Sequence, residues 1–154
     1  MKLAEALQIR ADLQKRIAQM PMRLNNNAKV QEGSPPSENP QELLDELNRL
    51  LEQLEQLVVK INIANSRVVA DDGTTMTALI ARRDTLKRHI DIMRGFLDAA
   101  SDLTPRHTLT EIRVISTVNV AELRKKCDAL SKELRELEIK IQSLNWKLEM
   151  DRKT

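Results

Sequence analysis

Cysteine is all but absent from this chain, and the single one, Cys127, excludes an internal disulfide and any multi-thiolate metal site. Aromatic residues are equally scarce, with Phe96 and Trp146 alone and no tyrosine, and glycine occurs only three times. A sheet-rich fold draws on aromatic and β-branched residues and on glycine turns, so its absence of raw material argues against one. No run approaches the ~18 apolar residues that span a bilayer, and Glu5 and Arg10 interrupt the start of the chain, so no signal core is expected there. Charge of one sign is missing too. The 25 basic and 23 acidic residues leave a net charge of +2, too weak a field to gather nucleic acid or an anionic membrane. The expectation is a cytoplasmic protein without a nucleic-acid partner.

Leu, Glu, Lys, Arg, Gln and Ala dominate instead, the composition of long helices, and 154 residues fit a single domain over 1–154. The clearest pattern lies between Val120 and Met150. Leu123, Cys127, Leu130, Leu134, Leu137, Ile141, Leu144 and Leu148 follow one another at spacings of four and three, which places them on one stripe of a helix. This is a coiled-coil seam with charged flanks, and Cys127 on it reads as a small buried hydrophobe. Asn119 with Glu122 marks the start of that helix.

Three further helices are expected. Leu3, Ala6, Leu7, Leu13, Ile17, Met20 and Leu24 define the first, from about Lys2 to Leu24, with Pro21 as a kink or an end. Arg10 interrupts its stripe, where a guanidinium either snorkels past the seam or meets a buried carboxylate. Asn39, Pro40 and Glu42 form a start signal for the second, which carries Leu43, Leu47, Leu50, Leu54, Leu57, Ile61, Ala64 and Val68. A second stripe of Leu44, Leu51 and Val58 runs alongside, and two stripes imply at least two packing partners. Asn62 and Asn65 sit near that seam, either solvated or bonded across an interface. Asp71-Asp72-Gly73-Thr74 is a tight turn that predicts an antiparallel return by the third helix, lined by Met76, Leu79, Leu86, Ile90, Met93, Leu97 and Ala100. Arg83 beside Asp84 interrupts its stripe, and its basic face reads as solvated surface.

Between the helices, 25–39 is rich in Asn, Pro, Gly and Ser and is expected to be a crossover or an arm that reaches a neighbouring subunit. Residues 108–118 alternate β-branched side chains, with Ile112, Val114, Ser116 and Val118 on one face, and predict a short strand. Its partner is expected to be residues 28–32 or a second subunit. The fold expected is therefore all-α, an antiparallel bundle of about four helices with one short β segment.

Motifs of chemistry are missing. His89 and His107 lack the Glu-x-x-His spacing of carboxylate-bridged metal bundles, and no Gly-rich phosphate loop, His-Glu-x-x-His or Gly-x-Ser-x-Gly occurs. No enzymatic activity, cofactor or metal is expected. One polar constellation stands out, Arg10, Asn62, Asn65, Arg83, Asp84, Arg106 and Glu111, read as an ion network that orients the strand or as an anion or small-ligand site. Leu44, Leu51, Val58 and Trp146 are the expected interface of a homo-oligomer.

Leu3-Ala4-Glu5-Ala6-Leu7, Arg10-Ala11-Asp12-Leu13-Gln14, Gln31-Glu32-Gly33, Ile61-Asn62 with Asn65, Arg83-Asp84, Arg106 with Glu111-Ile112, and Asn145-Trp146 span nearly the whole chain. In these pieces it resembles a bacterial family of small helical proteins, some labelled septicolysin. The label implies a pore-forming, membrane-active protein, although the family has no settled activity. Where its pattern carries a second basic residue after Arg106, this chain has Thr108. Two aromatics and balanced charge run against a membrane-active role, because interfacial helices rely on aromatic anchors and excess basic residues.

Overall fold

The structure is a computed structural model that describes residues 1–103 and 108–150. Its described residues form four α-helices, α1 (Leu3–Asn26), α2 (Pro40–Arg67), α3 (Met76–Ser101) and α4 (Val120–Lys147). The all-α expectation holds.

Local signals set the helix ends. The Lys2 backbone N–H donates to Glu5 Oε2 at 2.9 Å, so the side chain three residues on satisfies a group that the first turn of α1 leaves unpaired. Asn39 Oδ1 accepts from Gln41 N at 2.9 Å ahead of Pro40, and Asn119 Oδ1 accepts from Glu122 N at 3.1 Å. Thr75 caps α3 by accepting from Ala78 N at 3.2 Å. Pro21 does not end α1 but stands inside it, and the helix runs to Asn26.

The described residues divide into two compact units, 1–70 with 144–150, and 71–143. The boundary between the units falls at Asp71, where the Asp71–Thr74 turn begins. In the first unit α1 and α2 pack antiparallel: Arg23, near the end of α1, reaches Glu46, near the start of α2, while Ile9 and Leu13 share a groove with Leu57 and Lys60. Leu3, Ala6, Leu13 and Met20 of α1 and Leu43, Leu50, Leu57 and Ile61 of α2 are buried. Each stripe follows the three-and-four spacing, and full burial of such a side chain contributes about 1.5–3 kcal/mol.

The ends of the chain belong to this same unit. Leu3 N donates to Leu148 O at 3.1 Å and Met150 N to Met1 O at 2.8 Å, around an antiparallel bridge between Lys2 and Glu149. The bridge occupies the first amide of α1, and Met150 and Asn145 are buried beside it in the sense that only 7% and 5% of each is exposed. The helix stops at Lys147, and Leu148, the last residue of the stripe, accepts from Leu3 N.

In the second unit α3 and α4 share a core of Leu86, Ile90, Leu97 and Cys127, with Met93, Val120, Leu123, Leu130 and Leu134 packed against it. The seam of α4 is thus filled within the chain. Lys140, near the end of α4, reaches Asp72 ahead of α3, and Arg94, late in α3, reaches Ser131 in mid α4, so the pair is antiparallel.

Residues 108–118 form no strand. Leu109, Ile112, Val114 and Ile115 are exposed, and Glu111 N folds back to Thr108 O at 3.4 Å. Residues 28–32 form no strand either. β-branched alternation is a preference for a pleated, half-buried surface, and without a neighbouring strand the ladder bonds that would realise it are not made.

Candidate interaction surface

Arg10, Asn62 and Asn65 lie in the first unit, Arg83, Asp84 and Glu111 in the second, and Arg106 lies outside the described residues. Arg10 is half-buried, and its Nε is buried with no hydrogen-bond partner among the described residues, so no carboxylate meets that nitrogen. Asn62 is exposed and Asn65 half-buried. Arg83 pairs with its neighbour Asp84, Nε to Oδ1 at 2.9 Å, with the Asp84 side chain 59% exposed. A pair of adjacent, solvated residues fixes little beyond its own rotamers. Glu111 is exposed at the turn ahead of residues 112–116.

The polar centre that does form was not visible in the sequence. The Arg23 guanidinium bonds Glu38 through Nε at 3.2 Å and a terminal nitrogen at 2.6 Å, and Glu46 at 3.2 Å. Arg16 adds a second contact to Glu46 at 3.6 Å. Asn27, only 6% exposed, donates to Arg23 O at 2.9 Å and accepts from Glu38 N at 2.9 Å. The forked bond to Arg23 holds the Glu38 carboxyl below its ordinary value, and the same contact raises the guanidinium further. These bonds tie the loop between Asn27 and Asn39 back onto α1 and α2. Arg23 in the last turn of α1 was the available clue, since cations collect at helix C-termini, but its partners lie 15 and 23 residues away.

A second charge centre is local to the other unit. Lys140 Nζ lies 2.6 Å from Asp72 Oδ2 while Asp72 Oδ1 accepts from Thr74 N at 3.0 Å, and these two contacts, Lys140 foremost, hold the Asp72 carboxyl far below the usual range. Gly73 takes φ +83° in this turn, the left-handed region that glycine enters without strain. Both centres are ion pairs open to solvent, with the Glu38 and Asp72 side chains 41% and 55% exposed. Among the described residues no group of three His, Cys, Asp or Glu side chains is placed to hold a metal, and no helix is long and apolar enough to cross a membrane.

What remains open is apolar surface. On α2, Leu44 and Leu51 are 43% and 44% exposed, and Leu47, Leu54 and Val58 are half-buried. These five follow spacings of three and four along the face next to the buried stripe, so Leu44, Leu51 and Val58 lie where the sequence put them. Val59 and Ile63 are exposed too, on a different face about 100° round the helix. Trp146 is 57% exposed, while its neighbour Asn145 is buried, because adjacent helical residues point about 100° apart.

No curated protein matches the chain. A crystal structure described as a functionally unknown conserved protein from Corynebacterium diphtheriae is similar at 37% identity with a TM-score of 0.91, covering 98% of this chain and 99% of that one. Residues 10–150 match the family of unknown function DUF6847, and the chain belongs to that family.

Proposed function

We propose that the protein acts through protein–protein contact, as a self-associating helical protein, and not as a catalyst. The observation that carries this reading is the stripe Leu44, Leu47, Leu51, Leu54 and Val58, a heptad-spaced row left partly open on α2 after the buried stripe has been filled by the fold. A row of that spacing fits a second helix, and a second copy of the chain offers the same row, so two α2 helices related by a two-fold axis match knob to hole. A cytoplasmic location accords with Cys127 being free and buried.

Sedimentation measured across a range of concentrations tests this. The expected result is a species heavier than the 17.6 kDa monomer, converted toward monomer by Leu44→Gln with Leu51→Gln while helical content is kept. A wild-type chain that sediments as a 17.6 kDa monomer at every concentration overturns it.

A further inference from the structure

The groove between α1 and α2 changes character along its length. Glu46, Arg49, Leu50 and Gln53, continued by Gln56, Leu57 and Lys60, follow the three-and-four spacing of one α2 face, and Arg16, Leu13 and Ile9 line the α1 side in the opposite direction. At about 3.6 residues per turn this face is centred about 140° round α2 from the Leu44–Val58 row, on the other flank of the buried stripe. The polar end holds about 390 Å³ among Arg16, Glu46, Arg49, Leu50 and Gln53. Past Gln53, which lines both ends, the apolar end holds about 350 Å³, with Leu13 and Leu57 as a buried floor and Ile9 and Met1 beside them. Mostly apolar hollows of about 300–1,000 Å³ with a few placed polar groups are the ones that take small molecules. Charge separates the two ends further. Glu46 is held by Arg16 at 3.6 Å and by Arg23 at 3.2 Å, whereas Arg49 is exposed and enters no ion pair among the described residues. Lys60, at the far end, lends its stem to the groove and shares the adjoining hollow with Glu52 and Glu55.

We propose that this groove binds one monomeric single-chain amphiphile, an alkyl carboxylate of fatty-acid type, with its head on Arg49 and its tail laid over Leu13 and Leu57 toward Met1. The polar end is lined by two arginines and one carboxylate, and that carboxylate is already shared with Arg23, so the charge left to satisfy is the Arg49 guanidinium. A carboxylate matches its fork of N–H donors, and Gln53 stands at the junction with an amide to donate to the same head. A cationic head would meet Arg16 and Arg49 instead, and an uncharged one would leave Arg49 unpaired. The tail has its own place. From Gln53 to Lys60 the α2 side runs about 10 Å at 1.5 Å per residue, which suits an alkyl chain of medium length. Leu13 and Leu57 are only 5% and 8% exposed, a floor that a single chain reaches and the flat surface of a bilayer does not. The far end is fixed, because the carbonyl of Met1 accepts from Met150 N at 2.8 Å.

Titration calorimetry of the full-length protein with decanoate, kept below its micellar concentration, tests this. One equivalent should bind, and affinity should rise about fourfold for each methylene added from hexanoate to decanoate. Arg49→Gln should weaken octanoate about tenfold and leave 1-octanol unchanged, while Ile9→Gln should weaken both. Arg49 and Ile9 are exposed, so both variants should keep the wild-type helical content, which circular dichroism checks. Leu44→Gln with Leu51→Gln should bind decanoate as wild type does, so failure of the α2 seam and failure of the groove are told apart. No saturable binding, decyltrimethylammonium bound as tightly as decanoate, or Arg49→Gln binding octanoate undiminished overturns the proposal. Retention on anionic vesicles without binding of free decanoate also overturns it and gives the groove to a lipid surface. A decanoate affinity that falls as the protein self-associates does the same in favour of a second copy.

Discussion

Arg23 grips both carboxylate oxygens of Glu38, at 3.2 and 2.6 Å, across 15 residues of chain, and so fastens the loop from Asn27 to Asn39 onto the helix that precedes it. The contact is one carboxylate shared with a fork of two N–H donors, the geometry in which arginine binds best.

This pairing makes the loop sensitive to acid. The Glu38 carboxyl titrates below its ordinary value of 4.5 in the folded protein, so its contribution is fully present above about that pH and is lost as the pH falls through the lowered value. Amide exchange at Glu38 and its neighbours in the loop should therefore quicken on going from about pH 6 to about pH 3, beyond the intrinsic pH dependence of exchange. In Glu38→Gln the loop should be looser at every pH and this additional dependence should vanish. The same pH response in both proteins would show that Glu38 does not hold the loop.

Asn27 is the buried partner in the same clasp, donating to Arg23 O and accepting from Glu38 N at 2.9 Å each. Asn27→Ala removes both bonds and leaves an amide and a carbonyl without their partner, a loss of about 1–3 kcal/mol in urea unfolding. Asn27→Asp keeps the acceptor and should fall between the two. An unchanged midpoint in the alanine variant would mean that water replaces the side chain at no cost.

The α3 helix offers a contrast within three positions. Ile90 is 2% exposed and Ile92 is 65% exposed. Ile90→Ala should cost about 2–5 kcal/mol by leaving a cavity between α3 and α4, and Ile92→Ala should stay within about 0.5 kcal/mol. Thermal unfolding of the two variants decides it, and comparable losses would place Ile92 in a core instead of on the surface.

Much of the helix architecture was legible because the signals that carry it are local. The caps at Asn39 and Asn119 act over two or three residues, and the seam from Leu123 to Leu148 repeats every three or four. Residues 108–118 show where local reading stops. Their alternation is genuine, yet a strand needs a partner, and no local pattern supplies one. The grouping of α1 with α2 and of α3 with α4 in separate units is likewise not signalled by the short Asp71–Thr74 turn. Leu44, Leu51 and Trp146 are exposed, and Arg83 pairs with its neighbour Asp84.

Sequence by itself determined that this chain is helical, where α2 and α4 begin, and which face of each helix is apolar, since all of these follow from interactions spanning a turn or less. Tertiary structure alone decided which stripes fill one another, which apolar residues stay open, that Glu38 returns to Arg23, and that Met1 and Met150 meet at 2.8 Å around the Lys2–Glu149 bridge. Those outcomes join residues distant in the chain, and their free energy depends on shape and partner availability that no short window of sequence contains.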